Sequence, residues 1–560
     1  MIYTKGRLVA QNCMFKQLGF DPFLYLNKSS KIEKGFFYNN YSPSTSNRMY
    51  FTQENAGRID YFRTQIEEWF KLGLLTENEY HYLLSCLIES ISDVSNTAGV
   101  YGAYLKKWDS RALKPIFFDK IDSKNANCNN IKTYNAKIED IIENIDCDVL
   151  YLDPPYTQNQ YGTQYHLLET LILNDNPKIS KITGSRSTTP LRSDWSKEYK
   201  TNILFDKILA KTKAKYIIFS YNNDGLMSKE FIEASLKRYG KLDSYECIKI
   251  PYKKYQNWKS SNNKEHFEYL FFIEKKDEKD IVYECPLNYI GSKNKIISDI
   301  RSYLPENHVT FIDAFGGGCN VGINMPISNI TYNDVNFFVK DLIESFKIND
   351  TYQYILFIKR IISKYGLEKS NTEAYINARN DYNRLPLSKR DPRFLFAIIM
   401  YGFQQQIRFN SSYEFNNPVG MRWFNEKILE KMISFSRKIK EINISFKSNS
   451  YEELCKNIDD TTFVYFDPPY NLTTGSYNDG KRGFQGWTQE QERDLFDFAD
   501  KLTADKIPFM LSYVCEHKGK VNHNFKTWIE KNEYNLINLN EIIGISGQKR
   551  KEVIVTNYVC

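Results

Sequence analysis

Nowhere in its 560 residues does the chain hold about 18 consecutive apolar residues, the length that crosses a membrane as a helix. Residues Met1 to Gly6 lack the apolar stretch of a secretory signal. The 10 cysteines include no Cys-x-x-Cys pair, and there are only 6 histidines. Zinc modules and disulfide frameworks are therefore not expected, and a reducing cytoplasm is the expected compartment. Charge of one sign is also scarce: 75 Lys and Arg face 68 Asp and Glu, a net of +7. That balance permits a polyanionic partner without requiring one. Aromatic residues are plentiful, at 15% with 41 Tyr and 37 Phe. The hydrophobic share of 42% suffices for ordinary cores. At roughly 100–200 residues per domain, the length predicts two to four domains.

One tetrapeptide occurs twice. Asp467-Pro468-Pro469-Tyr470 follows the apolar run Phe463-Val464-Tyr465-Phe466. Asp153-Pro154-Pro155-Tyr156 follows Val149-Leu150-Tyr151-Leu152. Each run reads as a buried strand that two prolines must end. An acidic side chain is thus left at the carboxyl end of a strand, where open α/β sheets hold their ligands.

The flanking pattern repeats as well. Helical spacing is predicted from Asn55 to Leu72, and Thr76 with Glu79 predicts a capped helix to about Ser92. Residues 82–108 and 394–423 share an outline: apolar helix, asparagine-bearing loop, glycine, basic residue, Trp. Strands ending in Ser220-Tyr221 and Ser512-Tyr513 follow the two tetrapeptides. The first of those gaps is longer, and a polar stretch at 173–200, with Arg186 and Arg192, accounts for most of the difference and reads as a mobile basic loop. The charge cluster Lys275 to Asp280 predicts a linker, which sets boundaries at 1–275, 276–285 and 286–560. The second half alone opens with Asn288-Tyr289-Ile290-Gly291-Ser292-Lys293, then Phe311-Ile312-Asp313-Ala314-Phe315-Gly316-Gly317-Gly318, then Asp334. Strand, glycine-rich turn, helix, strand and acidic end make a nucleotide-binding opening. A largely helical insert is predicted from about 336 to 445.

These parts suit amino-group chemistry on a base. An exocyclic amine is a poor nucleophile because its lone pair is delocalised into the ring. The Asp carboxylate and the first proline's carbonyl can accept its two hydrogens and aim the nitrogen at an electrophile. The tyrosine can stack on a base swung out of the duplex. No metal or reactive thiol is needed.

On these motifs the chain resembles the S-adenosylmethionine-dependent N6-adenine DNA methyltransferases of class α, the Dam-like group. Within it, the chain is similar to the two-headed enzymes of FokI-type restriction-modification systems. The resemblance implies an α/β, Rossmann-like methyltransferase fold with helical target-recognition inserts, tandemly duplicated. It implies S-adenosyl-L-methionine as cofactor, double-stranded DNA as substrate, and a restriction endonuclease acting on the same site as a partner. By the same analogy, Tyr289, Gly291 and Lys293 contact the cofactor. Asp313, Phe315, Gly316, Gly317 and Gly318 cradle it, and Asp334 takes its ribose hydroxyls. Asp467, Pro468, Pro469 and Tyr470 hold the adenine, with Asp467 also near the cofactor amine, and Asp153, Pro154, Pro155 and Tyr156 are their counterparts. Arg408, Asn410, Asn416 and Asn417 in the insert, and Lys481 and Arg482 after Tyr470, are expected to meet DNA.

The first half departs from the pattern. Nothing before Trp108 resembles the Asn-Tyr-Ile-Gly-Ser-Lys stretch or the glycine turn, so its pocket is expected to be incomplete and its activity absent or impaired. The alternatives are a DNA-positioning first half beside one active second half, N4 transfer to cytosine, and methylation of RNA. Asp in both tetrapeptides, where cytosine enzymes usually carry Ser, favours adenine.

Overall fold

The structure, a computed structural model, describes residues 1–121, 131–251, 266–289, 291–456, 458–470, 487–517, 520–539, 542–543 and 549–559. The chain divides into two compact units, Met1–Ile141 with Thr157–Lys197, and Ile142–Tyr156 with Glu198–Cys560.

The first unit is helical and built around α1 (Gln53–Lys71) and α2 (Glu77–Asp93). Both helices lie where the sequence predicts them. Thr52 caps α1, and the expected Thr76–Glu79 capping box opens α2. Their apolar faces bury Ile59, Phe62, Ile66, Leu83, Leu84 and Leu87 in one core with Phe23, Phe37 and Phe51. The basic loop at 173–200 is tied to this unit. Arg186 pairs with Asp175 at 2.7 Å, and Arg48 donates to the carbonyls of Ser180 and Lys181.

The second unit holds two sheets. In the first, β1 (Val149–Leu152) lies parallel to β2 (Tyr216–Asn222), and β2 is antiparallel to β4 (Phe267–Glu274), which is antiparallel to β3 (Glu246–Pro251). Helices α3 (Lys200–Lys211) and α4 (Lys229–Tyr239) connect them, and Phe205 of α3 packs on Phe219 of β2. Two lysines of the 275–280 charge cluster bond helix-end carbonyls: Lys275 to Ala210, and Lys276 to Lys237 and Arg238. Such contacts complement the unpaired C=O groups that every helix end leaves.

The second sheet has the order β11-β13-β9-β8-β5-β6-β7. Its members are β5 (Thr310–Asp313), β6 (Asn329–Asn333), β7 (Ile444–Lys447), β8 (Thr462–Phe466), β9 (Phe509–His517), β11 (Asn535–Asn538) and β13 (Lys549–Thr556), with β10 (Lys520–Val521) beside β9 and β12 (Ile542–Ile543) beside β13. Strands β7, β6, β5, β8 and β9 are parallel, whereas β13 and β11 add antiparallel edges. Four helices, α5 (Phe337–Ile348), α6 (Thr351–Tyr365), α7 (Thr372–Arg384) and α8 (Pro392–Ile399), then α9 (Glu426–Glu441), form the helical insert between β6 and β7. Helices α10 (Gln489–Ala504) and α11 (His523–Asn532) follow β8 and β9.

One expected element is missing. The glycine turn after β5 leads not to a helix but to a single 3-10 turn, Gly322–Asn324. Asn320 and Asn324 hold this segment by accepting from the N–H groups of Cys285 and Tyr283, and Pro326 bars its extension.

Candidate active site

Every residue expected at the cofactor lines one cavity of about 420 Å³. It opens at the carboxyl ends of β5, β6 and β8. Gly317 has φ +47°, and a Cβ there would meet the Tyr289 ring at 2.6 Å. A side chain at Gly316 would meet Tyr332 at 2.3 Å. The glycines therefore allow the turn to close on two aromatic rings while its backbone faces the cavity. Asp334 accepts from Gly317 N–H at 3.1 Å and from Asn336 N–H at 2.8 Å, which fixes its carboxylate at the cavity wall.

Asp313, Asp334 and Asp467 bring three carboxylates to the cavity. Asp313 is fully buried, and its carboxyl is pushed up to about 7, first by burial and then by the charges of Asp467 and Asp334, against a bond from Gly322 N–H. Aromatic groups close the outer side: Phe315 lies 5.6 Å from Tyr451 and 5.8 Å from Trp487, ring to ring. Tyr451 and Trp487 carry no motif and were not legible as site residues. Acids, aromatic faces and a tight glycine turn suit a cationic ligand bearing a ribose.

At the mouth of β8, Asp467 is engaged on both oxygens. Tyr470 OH donates to Oδ1 at 2.8 Å, and Lys293 Nζ lies 2.8 Å from Oδ2. Lys293 also donates to Gly291 C=O at 3.0 Å and stands 5.3 Å from the centre of the Tyr470 ring. Its side chain is 2% exposed, that of Asp467 19%. The lysine expected at the cofactor is thus a direct partner of the acid.

The first tetrapeptide is built alike in part. Tyr156 OH donates to Asp153 at 2.6 Å, and the Tyr156–Tyr221 rings meet edge to face at 5.4 Å. The Tyr470–Tyr513 pair has the same form at 5.1 Å. Here, however, Tyr156 OH also faces Glu268 at 3.1 Å, and Ser220 bonds that glutamate at 2.9 Å. Burial, then the bond to Asp153, pushes the Tyr156 phenol above its ordinary value. Asp153 is exposed, and among the described residues it has no ion pair.

The expected DNA residues are scattered in role. Arg408 lines the same cavity, beside Gln406 and Ile407. Asn410 closes a hairpin tip, accepting from Ser412 and Glu414 N–H and donating to Glu414 Oε2 at 2.7 Å. Asn417 is buried and donates to Phe403 C=O at 3.1 Å. Asn416 borders a polar cleft with Arg379, Asn380, Asn383 and Arg384 of α7. Those four recur at i, i+1, i+4 and i+5, one helix face, which was the available signal. Lys481 and Arg482 lie outside the described residues.

The profile of the family described as D12 class N6 adenine-specific DNA methyltransferase matches residues 10–223 and 289–545. The type II methyltransferase M.FokI of Planomicrobium okeanokoites is 37% identical over 572 residues, covering 97% of this chain and 87% of that protein. The modification methylase StsI of Streptococcus sanguinis is 36% identical, covering 96% of this chain and 86% of its own. The DNA adenine methylase of Escherichia coli (strain K12) is 25% identical over 48% of this chain and 91% of its own. The chain belongs to the D12 class of N6 adenine-specific DNA methyltransferases.

Proposed function

We propose that the cavity at β5, β6 and β8 binds S-adenosyl-L-methionine and that Asp467, Pro468, Pro469 and Tyr470 present the target adenine to it, in a modification enzyme that protects a specific duplex site from a cognate restriction endonuclease. The observation that carries this reading is the convergence of the glycine turn, Asp334 and Asp467 on one cavity. Asp334 would hold the ribose hydroxyls, and the glycine turn the methionine moiety. The bound cofactor supplies an electrophilic methyl carbon on a sulfonium.

The protein's own groups do the rest. Each Asp467 oxygen keeps a second lone pair beyond its bond to Tyr470 or Lys293, so it can accept one amino hydrogen of the adenine. The Pro468 carbonyl accepts the other. With both amino hydrogens accepted, the N6 lone pair would be directed at the methyl carbon that a bound cofactor supplies, and Asp467 would receive the proton that N6 loses on transfer. The Tyr470 ring offers the stacking surface for the extruded base. The arginines of the α7 face are suited to anchoring phosphates.

We read the chain as two tandem methyltransferase halves, 1–275 and 286–560, joined at 276–285. Support comes from strand order: β3-β4-β2-β1 and β11-β13-β9-β8 repeat the same pairings in the same directions, with matching chain connections. The Phe315-Gly316-Gly317-Gly318 turn lies in the second of these halves. A second reading keeps methyl transfer in the second half alone, with the first binding and positioning DNA. Full-length protein given radiolabelled S-adenosylmethionine and unmethylated duplex DNA should label adenine N6, and Asp467→Ala should reduce incorporation at least about a thousandfold. Retained activity in that variant overturns the assignment.

A further inference from the structure

Tyr470 is 1% exposed, and its hydroxyl is tied to Asp467. Its ring is held by the tyrosine of the Ser512-Tyr513 pair that follows the tetrapeptide. Tyr513 of β9 meets it edge to face, at 5.1 Å between centroids and 75° between planes. The Tyr513 hydroxyl in turn donates to Glu492, in the first turn of α10. Glu492 is itself 1% exposed. The same Oε1 accepts from Asn522 Nδ2 at 2.8 Å, and Asn522 Oδ1 caps α11 by accepting from Phe525 N–H at 3.0 Å.

A buried carboxylate is costly to keep, and an aliphatic side chain would fill this position in the core with less desolvation. Glu492 does not line the cofactor cavity, so direct ligand binding does not explain it. Its two donors do: one comes from the strand beside β8, the other from the cap of the next helix. Together they fix the Tyr513 ring, and that ring fixes Tyr470. The first half supplies a comparison. Tyr156 and Tyr221 repeat the edge-to-face geometry, at 5.4 Å and 77°. There the Tyr221 hydroxyl accepts from Met227 N–H at 3.2 Å and faces Tyr156 C=O at 3.4 Å. The ring pair recurs, and the carboxylate anchor belongs to the second site.

We propose that Glu492, acting through Tyr513 and steadied by Asn522, is a positioning residue that sets the Tyr470 ring for the extruded adenine. The proposal rests on reading Asp467–Tyr470 as the adenine site. Wild type and Asp467→Ala serve as controls for that reading: if wild type transfers no methyl group to adenine, the reading fails before this proposal is reached.

The test uses full-length protein, unmethylated plasmid DNA and S-adenosylmethionine. Glu492→Leu should lower kcat roughly ten- to hundredfold, while cofactor affinity by titration stays within about twofold. Glu492→Gln keeps an acceptor for the Tyr513 hydroxyl and should recover most of kcat. Tyr513→Phe keeps the ring but loses its anchor, and should behave like Glu492→Leu; it carries the test should the leucine variant fail to fold. The proposal is overturned by a wild-type kcat in Glu492→Leu or Tyr513→Phe, by cofactor binding lost in step with kcat, or by failure of Glu492→Gln to rescue. A purely structural glutamate would lower thermal stability and leave the kcat of the folded fraction unchanged.

Discussion

Asp313 ends β5 with a carboxyl that burial raises to about 7. An acid raised on folding binds its proton more tightly in the native state than in the unfolded chain, where it titrates near 4. Its stabilising contribution is therefore complete below about pH 4 and is lost as pH rises through about 7. Asp313→Asn removes that dependence and keeps an oxygen for the Gly322 N–H. In cofactor-free protein, the thermal midpoint of the variant should fall less than that of wild type between about pH 5 and pH 8. Asp60, raised to about 7 in the other unit, is common to both proteins and cancels in the comparison. Parallel pH profiles would refute the account. The acid itself was legible from its place between an apolar run and a glycine turn. Its neighbours were not: that Lys293 lies on Asp467 depends on a contact between segments far apart in sequence, which no local pattern encodes.

At the level of elements, short apolar runs and caps were the readable signals. Val149–Leu152 and Thr462–Phe466 are strands because a few branched and aromatic residues are cut off by two prolines. The order in which strands pair was not readable, since it depends on non-local contacts. Nor was the packing of α9 against α3 and α4, which joins the first sheet's helices to the helical insert. That contact is polar at its centre. Arg238 of α4 bonds both oxygens of Glu430 of α9, with side chains 6% and 4% exposed. Nearby, Arg437 of α9 bonds Asp206 of α3 at 2.8 Å, and Tyr239 bonds the same aspartate. Removing one member of a buried pair strands the other's charge, whereas replacing both by apolar residues does not. Glu430→Ala should therefore destabilise the protein by about 3–5 kcal/mol in chemical unfolding, and Arg238→Met with Glu430→Leu by much less. Equal losses in the single and double variants would mean that the pair supplies packing rather than matched charge.

At the scale of the second unit, the two Asp-Pro-Pro-Tyr strands differ in what flanks them. Strand β8 lies between β5 and β9, and all of its residues are buried. Among the described residues β1 pairs with β2 alone, and Val149 and Tyr151 are 49% and 58% exposed. The side of β8 that carries the glycine turn and Asp313 thus has no described counterpart at β1. Asp153 with Tyr156 and Asp467 with Tyr470 repeat one contact, whereas among the described residues the glycine turn and Asp334 share a cavity with Asp467 and not with Asp153. Two outcomes follow. Amides of β1 should exchange with solvent faster than those of β8, because an edge strand opens without breaking a second ladder. Asp153→Ala should leave methylation of both DNA strands at the wild-type level, whereas Asp467→Ala abolishes it on whichever strand wild type modifies. Strand-resolved sequencing of methylated adenines in DNA treated with each variant decides the matter. Loss of one strand's methylation in Asp153→Ala, with the other strand untouched, would show that the first site transfers methyl groups and that β1 gains its cofactor half from outside the described residues.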